Sequence, residues 1–164
     1  MKNNLTELPI STRDGKFIAR YSENGLAELN FPNAKISSRA AKQNGISVEI
    51  KNWHRVTETA LKKILAGKKS KLPPLDWNGA TGFQKSVWRQ MLKISTGKTK
   101  SYGEISVAIG KPKAVRAVGG ACGANPIPVL VPCHRVLAAN KKLGGFSGGL
   151  DWKHKLLARE NVKI

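Results

Sequence analysis

The chain has 164 residues, which is enough for one ordinary domain or two small ones with a real hydrophobic core. Its 29 Lys and Arg against 10 Asp and Glu give a formal net charge of +19, which favours a polyanionic partner, nucleic acid before membrane, over a surface that is merely soluble. No run approaches the ~18 apolar residues of a membrane span, and the N-terminus Met1-Lys-Asn-Asn-Leu lacks the apolar segment of a secretory signal. Two cysteines and three dispersed histidines match neither a zinc site nor a disulfide framework, so we expect a protein of the reducing cell interior that holds no metal.

The first part of the chain predicts a small α+β unit. Two alternating runs flank Asn24-Gly25, which is a strong hairpin signal, and their inner faces carry Phe17, Ala19 and Tyr21, and Ala27, Leu29 and Phe31. Residues 33–45 are polar and irregular. From Trp53 onward, apolar residues at helical spacing predict a helix that ends at Gly67.

Residues 68–74 are charged, contain prolines and lack periodicity, which is typical of a linker. They predict an N-terminal domain over residues 1–75 and a C-terminal domain over residues 76–164. From Ala80 onward the chain carries 15 basic residues and only three acids, Glu104, Asp151 and Glu160, a net charge of +12. In so basic a region we expect each acid to have a specific role.

The second domain opens with helices whose starts are marked by two capping boxes, Thr81-Gly-Phe-Gln84 and Ser101-Tyr-Gly-Glu104. The first helix carries an apolar stripe of Phe83, Val87, Trp88, Met91 and Leu92, which makes Trp88 a packing residue rather than a base-stacking one. The second helix, with Ile105, Ala108 and Ile109, closes at Gly110. Pro112 suits the first turn of a third helix that runs through Cys122, and the last two helices resemble a helix-turn-helix.

The second helix of this pair is unusually slim. Gly119 and Gly120 each cost up to ~1 kcal/mol relative to Ala in a helix interior, so their small size indicates close approach by another helix or by DNA. With Lys113 and Gly123 at helical spacing, this face carries Arg116 as its projecting cation. A conventional recognition helix instead presents several polar side chains to base edges.

The apolar run 127–132 leads to the residues with chemical potential. Its prolines exclude a central strand and predict a buried, stiffened loop that delivers Cys133. A free thiol with a pKa of ~8.5 is a good nucleophile only as the thiolate, so a base or cation must lie nearby, and His134 and Arg135 are the first candidates. Because adjacent side chains diverge, His134 needs a bridging water to reach the sulfur. The alternative is that Cys133 is a small buried hydrophobe.

Two further features of the C-terminal sequence bear on this site. Leu143-Gly-Gly-Phe-Ser-Gly-Gly149 can bring backbone N–H groups close to a ligand, although a flexible surface loop explains its glycines nearly as well. A last helix is predicted from Asp151, as its N-cap, to Glu160. No local rule explains Glu160, and a carboxylate that orients His134 would explain it.

Together these motifs resemble the O6-alkylguanine-DNA alkyltransferases. The resemblance rests on Pro132-Cys133-His134-Arg135, on Asn125-Pro126 and Ser101-Tyr102-Gly-Glu before it, and on the glycine-rich stretch after it. It is ungapped from about Thr99 to Asn161 and looser from Thr81. The N-terminal unit is similar to that family's ribonuclease-H-like domain only in its hairpin and length. The implied fold class is α+β, with a small N-terminal ribonuclease-H-like α/β domain and a mainly helical C-terminal domain containing a winged-helix-like helix-turn-helix.

The resemblance implies direct-reversal DNA repair. The helix-turn-helix would enter the minor groove of double-stranded DNA, the damaged guanine would be flipped out, and Cys133 would take its O6-alkyl group irreversibly, once per molecule. The enzyme class is methylated-DNA--[protein]-cysteine S-methyltransferase (EC 2.1.1.63), and O4-alkylthymine as a second substrate stays open. We expect no cofactor, no metal, no membrane and no obligate protein partner, and a monomer working in the cytoplasm of a prokaryotic cell with its DNA.

The resemblance also assigns residues. The catalytic group is Cys133, His134, Glu160 and Tyr102. The substrate-binding group is Val136, Ser147, Phe146 and Asn125, the last acting as a hinge or as a helix cap. The DNA-binding group is Arg116, Ala114, Val115, Ala117, Lys113 and Tyr102, with Arg116 as the finger that fills the space of the flipped nucleotide.

Some residues depart from the family pattern. Phe146 stands where some relatives have tyrosine, and Gly123 where some carry a basic residue, which puts one phosphate contact in doubt. Cys122 fits best as a small buried residue. Three other functions compete: a non-catalytic protein that senses alkylguanine lesions, a Cys-His hydrolase and a transcription regulator. Cys133 argues against the first, the basic half and Arg116 against the second, and an idle Cys133, His134 and Glu160 against the third.

Overall fold

The computed structural model describes residues 4–34 and 45–164, and most of the polar segment 33–45 lies outside them. The N-terminal part is an antiparallel sheet of three strands in the order β1 (Thr6–Thr12), β2 (Gly15–Ser22) and β3 (Gly25–Asn30). The predicted hairpin is confirmed as β2 and β3. Its inner residues on β2 are completely buried, namely Phe17, Ala19 and Tyr21.

The partner strand departs from strict alternation. Arg20 pairs with Glu28 while Tyr21 pairs with Leu26, so Ala27 is an extra residue in a β-bulge. As a result Leu26 is buried and Ala27 only half-buried, which corrects the predicted inner face at that position. Leu29 and Phe31 are buried as expected.

Strand β1 was not predicted. It contains Pro9, and it lies at the edge of the sheet, paired only with β2 among the described strands. An edge strand tolerates proline because one row of its N–H groups has no ladder partner. Its residues are also mostly half-buried, so the sequence lacks the strong alternation of a core strand.

The first helix, α1 (Val48–Leu65), begins five residues before the predicted start at Trp53. The Ser47 side chain caps it by accepting from the N–H of Ile50. Most of its first turn is exposed, and only Ile50 there is half-buried, so the apolar periodicity is weak before Trp53. The predicted end is confirmed, since Gly67 follows with φ +74°.

The C-terminal part contains four longer helices: α2 (Gly82–Leu92), α3 (Tyr102–Ala108), α4 (Val115–Gly123) and α5 (Leu150–Arg159). Two short strands, β4 (Lys100–Ser101) and β5 (Val136–Leu137), pair in parallel. Both predicted capping boxes are present, at the starts of α2 and α3. No helix in the described ranges is long and apolar enough to cross a membrane.

Several predicted details of these helices are wrong. Pro112 lies in the turn before α4, because the Ala114 N–H closes a turn on the carbonyl of Lys111 and the helix starts only at Val115. Asp151 lies inside the first turn of α5, whose N-cap is Gly149 with φ +92°. The apolar stripes also end differently, since Leu92 and Ala108 are exposed.

The two halves of the chain are joined by direct contacts. The linker runs along β3, where the Leu26 N–H donates to Pro74 at 2.8 Å and the Asp76 N–H donates back to Leu26 at 2.8 Å. Three residues further along β3, the Leu29 N–H donates to the carbonyl of Pro126 at 2.9 Å. The edge of the N-terminal sheet therefore touches the segment that leads to Cys133.

Candidate active site

The run 127–132 is a buried loop without regular strand pairing, as the prolines predict. Asn125 closes it from within, since its side-chain amide donates to the Val131 carbonyl at 2.8 Å and its Oδ1 accepts from the Ile127 N–H at 3.0 Å. Asn125 is itself buried and follows the end of α4. These contacts fix the loop relative to the helix, and they support the predicted hinge.

Cys133 begins a 3-10 turn, Cys133–Arg135, at the end of this loop and is 5% exposed. Burial raises the pKa of its thiol to about 11, although the Asn125 side chain and the charge of Lys153 act in the opposite direction. At neutral pH the resting protein thus holds a thiol rather than a thiolate. Nucleophilic chemistry at this sulfur requires a base.

His134 has the geometry of that base. Its ring is completely buried, and its Nε2 lies 3.0 Å from Glu160 Oε1. A carboxylate can only accept, so Nε2 carries the proton and Nδ1 has the free lone pair. Nδ1 is buried and contacts no donor or acceptor among the described residues. Burial lowers the pKa of His134 despite the neighbouring carboxylate, which keeps the imidazole neutral.

Glu160 is held by Arg135 as well as by His134. The Arg135 guanidinium donates from Nε to Oε2 at 2.9 Å and from Nη2 to Oε1 at 2.7 Å. Burial alone would raise the pKa of Glu160, but these hydrogen bonds outweigh it and lower the pKa to about 2. Arg135 is therefore not a cation for the thiol, as the sequence allowed, but the partner that keeps Glu160 ionised.

Tyr102 is the first residue of α3 and lies half-buried between two glycines. A Cβ added to Gly144 would be 2.6 Å from the Tyr102 hydroxyl oxygen, and one added to Gly119 would be 3.9 Å from its ring. Burial raises the pKa of this phenol, while a hydrogen bond with the Gly145 backbone acts in the opposite direction. Tyr102 is consequently a proton donor at neutral pH, on the same side of the molecule as the glycine-rich stretch.

The residues predicted to contact DNA lie around the start of α4. Val115, Arg116 and Ala117 are exposed in its first turn, Lys113 is exposed in the turn before it, and Ala114, its N-cap, is half-buried. The structure thus brings these five residues together, whereas Tyr102, the sixth residue of the predicted group, lies half-buried at the start of α3. Lys113 precedes the helix, so it does not share a helical face with Arg116 as the spacing suggested.

The chain was compared with protein families, curated relatives and solved structures. A family model described as 6-O-methylguanine DNA methyltransferase, DNA binding domain, matches residues 82–162. The methylated-DNA--protein-cysteine methyltransferase of Methanosarcina mazei is 44% identical over 146 residues, covering 87% of this chain and 88% of that protein. The Methanosarcina barkeri protein of the same name is 38% identical over 168 residues, covering 100% and 99%.

The chain belongs to the methylated-DNA--protein-cysteine methyltransferase family. The fold agrees with this assignment, because the Mycobacterium tuberculosis OGT protein, solved in complex with DNA, superposes with a TM-score of 0.73 at 35% identity over 93% of this chain and 90% of its own. The predicted family, the α+β fold class with a helical DNA-binding domain, and the repair methyltransferase activity are confirmed.

This methyltransferase contains a buried cation that the sequence analysis missed. Lys153 is completely buried in α5, and its ammonium donates to the carbonyls of Val136 at 2.8 Å, Gly145 at 3.3 Å and Leu143. It therefore ties β5 to the glycine-rich stretch. The signal was available, since position 153 lies three and four residues before the inward-facing Leu156 and Leu157.

The remaining candidate residues are less enclosed. The Val136 carbonyl accepts from Lys153 but has a second lone pair for another donor. Ser147 is exposed in the glycine-rich stretch, and Phe146 is half-buried beside it.

Cys122 is a packing residue: it is buried, its sulfur lies 3.6 Å from Met91 Sδ, and burial raises its pKa to about 12. Trp88 is likewise buried and donates to the Ala121 carbonyl at 2.8 Å.

Proposed function

We propose that this methyltransferase repairs O6-alkylguanine in double-stranded DNA by moving the alkyl group, methyl in the first place, to Cys133. The observation that carries the proposal is the chain Arg135, Glu160, His134, in which Glu160 orients a neutral imidazole whose Nδ1 has no hydrogen-bond partner among the described residues, one residue along the chain from Cys133. That arrangement supplies a base for one sulfur and has no other evident use.

The transfer is a displacement at carbon. As the Cys133 proton passes to His134 Nδ1 through a bridging water, the sulfur attacks the alkyl carbon and an S–C bond forms. The C–O6 bond breaks, its electron pair goes to the guanine, and the guanine ring takes up one proton. The resulting imidazolium is stabilised by Glu160, whose negative charge Arg135 maintains.

The guanine leaves more readily when it is protonated or hydrogen-bonded. In our proposal the Tyr102 hydroxyl donates a proton to the ring and regains one from solvent, and its position beside Gly144 supports this role. The main chain at Cys133 and Val136 accepts from the base's amino group, and the backbone N–H at Ser147 donates to O6. Guanine released in this way remains in the DNA as the repaired base.

The DNA contact is assigned to the exposed group at the start of α4. Small side chains there, Ala114, Val115 and Ala117, allow the backbone to approach the minor groove, and Arg116 fills the space of the flipped nucleotide. The net charge of +12 from Ala80 onward supplies attraction to phosphates. The relative from M. tuberculosis that was solved with DNA supports a DNA partner.

The reaction ends with the product on the protein. An S-alkyl thioether has no leaving group that water displaces readily, so each molecule acts once and needs no cofactor. A thiol nucleophile and a DNA substrate suit a reducing compartment, so we place the protein in the cytoplasm, as a monomer. We also propose the division into domains 1–75 and 76–164, with the linker seated on β3.

Intact-protein mass spectrometry tests the proposal directly. The protein is mixed with an equimolar duplex carrying one O6-methylguanine and then mapped by peptides. We expect one added methyl on Cys133, and no second turnover when further duplex is then added. Tight binding of the lesion with an unchanged mass would instead identify a lesion sensor without transfer, and a methyl on another residue would refute the assigned nucleophile.

A further inference from the structure

The segment Leu143–Gly149, which we call the glycine loop, is held from two sides. On one side Lys153 binds the carbonyls at its start, Leu143 and Gly145. On the other side the loop rests on the N-terminal sheet, at Phe31, the residue that follows β3. The second contact comes from a part of the chain to which the proposed reaction gives no role.

Phe31 lies directly under the far end of the glycine loop. A Cβ added to Gly148 would lie 2.5 Å from Phe31 Cε2 and 2.7 Å from Cζ, so the loop at Gly148 lies close against the ring. The ring of Phe146 meets Phe31 edge-on, with centroids 5.7 Å apart and an interplanar angle of 72°. Phe31 in turn packs against Trp152 at 5.1 Å and Phe17 at 5.6 Å.

The height of the glycine loop above the sheet therefore depends on the thickness of one aromatic ring. The ring cannot retreat, because it is 8% exposed and backed by Phe17 and Trp152. The loop itself has small residues and can shift, but its start is tied to Lys153 at Leu143 and Gly145 and faces Tyr102 at Gly144. In the proposed site, a change in the space between the loop and Cys133 must then arise at the Phe31 end.

We infer that Phe31 is a specificity-determining residue, whose ring sets the size of the O6-alkyl group that Cys133 accepts. The inference rests on the proposed function, in which the backbone at Ser147 in this loop contacts O6 of the guanine. Phe31 touches neither the base nor the sulfur and acts by positioning the loop. Removing part of its ring lets the loop settle toward the sheet and widens the space for bulky adducts.

The test compares single-turnover transfer from two duplexes, one with O6-methylguanine and one with O6-benzylguanine. In Phe31→Leu we expect the benzyl-to-methyl rate ratio to rise about fivefold or more, in the range that one or two methylene-sized changes of a pocket produce. Phe83→Leu is the matched control, because it removes the same ring atoms from α2, outside the aromatic cluster that holds Phe31. Its ratio should stay at the wild-type value.

A second variant changes the ratio in the opposite direction and does not depend on the folding of Phe31→Leu. Gly148→Ala puts a methyl group against the Phe31 ring and lifts the loop, so its benzyl-to-methyl ratio should fall. Benzyl-to-methyl ratios that stay at the wild-type value in the folded variants, or that rise equally in Phe83→Leu, overturn the inference. Failure of the wild-type protein to place a methyl on Cys133 at all would instead overturn the proposed function.

Discussion

At the scale of single residues, the charges around Cys133 are arranged so that the base stays neutral until it is used. Glu160 alone would favour a protonated His134, but the Arg135 guanidinium neutralises that carboxylate, and burial disfavours the imidazolium. The thiol is also uncharged at rest, since burial raises its pKa. The site therefore begins as a neutral Cys133 and His134 pair, and charge separates only when an alkyl group is present to accept the sulfur's electrons.

Replacing Glu160 by Gln should slow methyl transfer by about 10- to 100-fold, the usual effect of removing a partner that orients a functional side chain. The amide cannot balance the imidazolium, and it leaves Arg135 without its carboxylate. The rate is measured in a single turnover with methylated duplex. Glu104→Gln is the matched control, because Glu104 belongs to a capping box at α3 and glutamine also serves there. If both variants react at the wild-type rate, His134 has another orienting group.

Arg116→Ala should lower the rate at saturating duplex about tenfold or more, because flipping costs a few kcal/mol and the finger offsets part of that cost. Transfer from free O6-benzylguanine requires no flipping and should be unchanged. Lys113→Ala removes the same charge from the turn before α4 and should weaken binding without slowing saturated transfer. An unchanged saturated rate in Arg116→Ala would mean that another residue fills the space that the flipped nucleotide leaves in the DNA base stack.

At the scale of elements, the loop before Cys133 depends on Asn125. Asn125→Ala should destabilise the fold by about 1–3 kcal/mol, since it leaves the buried Ile127 N–H and Val131 carbonyl unpaired. Because the loop also places the sulfur, transfer should slow in the protein that remains folded. Ser106→Ala serves as the control: Ser106 is buried and bonds the Gly103 carbonyl at 2.7 Å within α3. Equal transfer rates in the two folded variants would separate Asn125 from the site.

The elements also explain which features of the fold and site could be predicted. Starts of α2 and α3 were predictable because a capping box is read within four residues. The start of α4 was not, because it has no side-chain cap and a turn at residues 111–114 displaces Pro112 from the helix. Cys133, His134 and Glu160 came from motifs, whereas Lys153 and Phe31 act through contacts with the glycine loop that only the tertiary structure reveals.

At the scale of the whole molecule, the acids of the basic half each have a role, as predicted. Glu104 caps α3, Asp151 lies in the first turn of α5 where its charge suits the helix dipole, and Glu160 binds His134 and Arg135. Exposed cations of this half such as Lys113 and Arg116 remain available to phosphates. The logarithm of the affinity for duplex DNA should accordingly fall linearly with the logarithm of the salt concentration. Lys113→Ala should reduce the steepness of that line by about one, as expected for the loss of one phosphate contact. A slope independent of Lys113 would remove it from the interface.

Two carboxylates, Glu160 and Asp14, make the stability of the folded protein sensitive to acid. Glu160 has a folded-state pKa of about 2 against an ordinary value of 4.5, so it contributes stability above pH ~4.5 that is lost as the pH falls toward 2. A shift of this size corresponds to a contribution on the order of 3 kcal/mol. Asp14, whose pKa the Arg159 side chain lowers, acts in the same direction across the junction of the two halves, where the pair is bidentate at 2.7 and 2.8 Å.

Urea denaturation between pH 2 and pH 7 measures this directly. The free energy of unfolding of the wild-type protein should be nearly constant above pH 5 and should fall between pH 4.5 and pH 2. Glu160→Gln should be less stable at pH 7 and should show a shallower fall, because the titrating group is gone. Asp14→Asn should remove a smaller part of the fall, since the Arg159 partner is 27% exposed and solvent screens the pair. If the acid limb of Glu160→Gln has the wild-type slope, the low pKa belongs to other carboxylates.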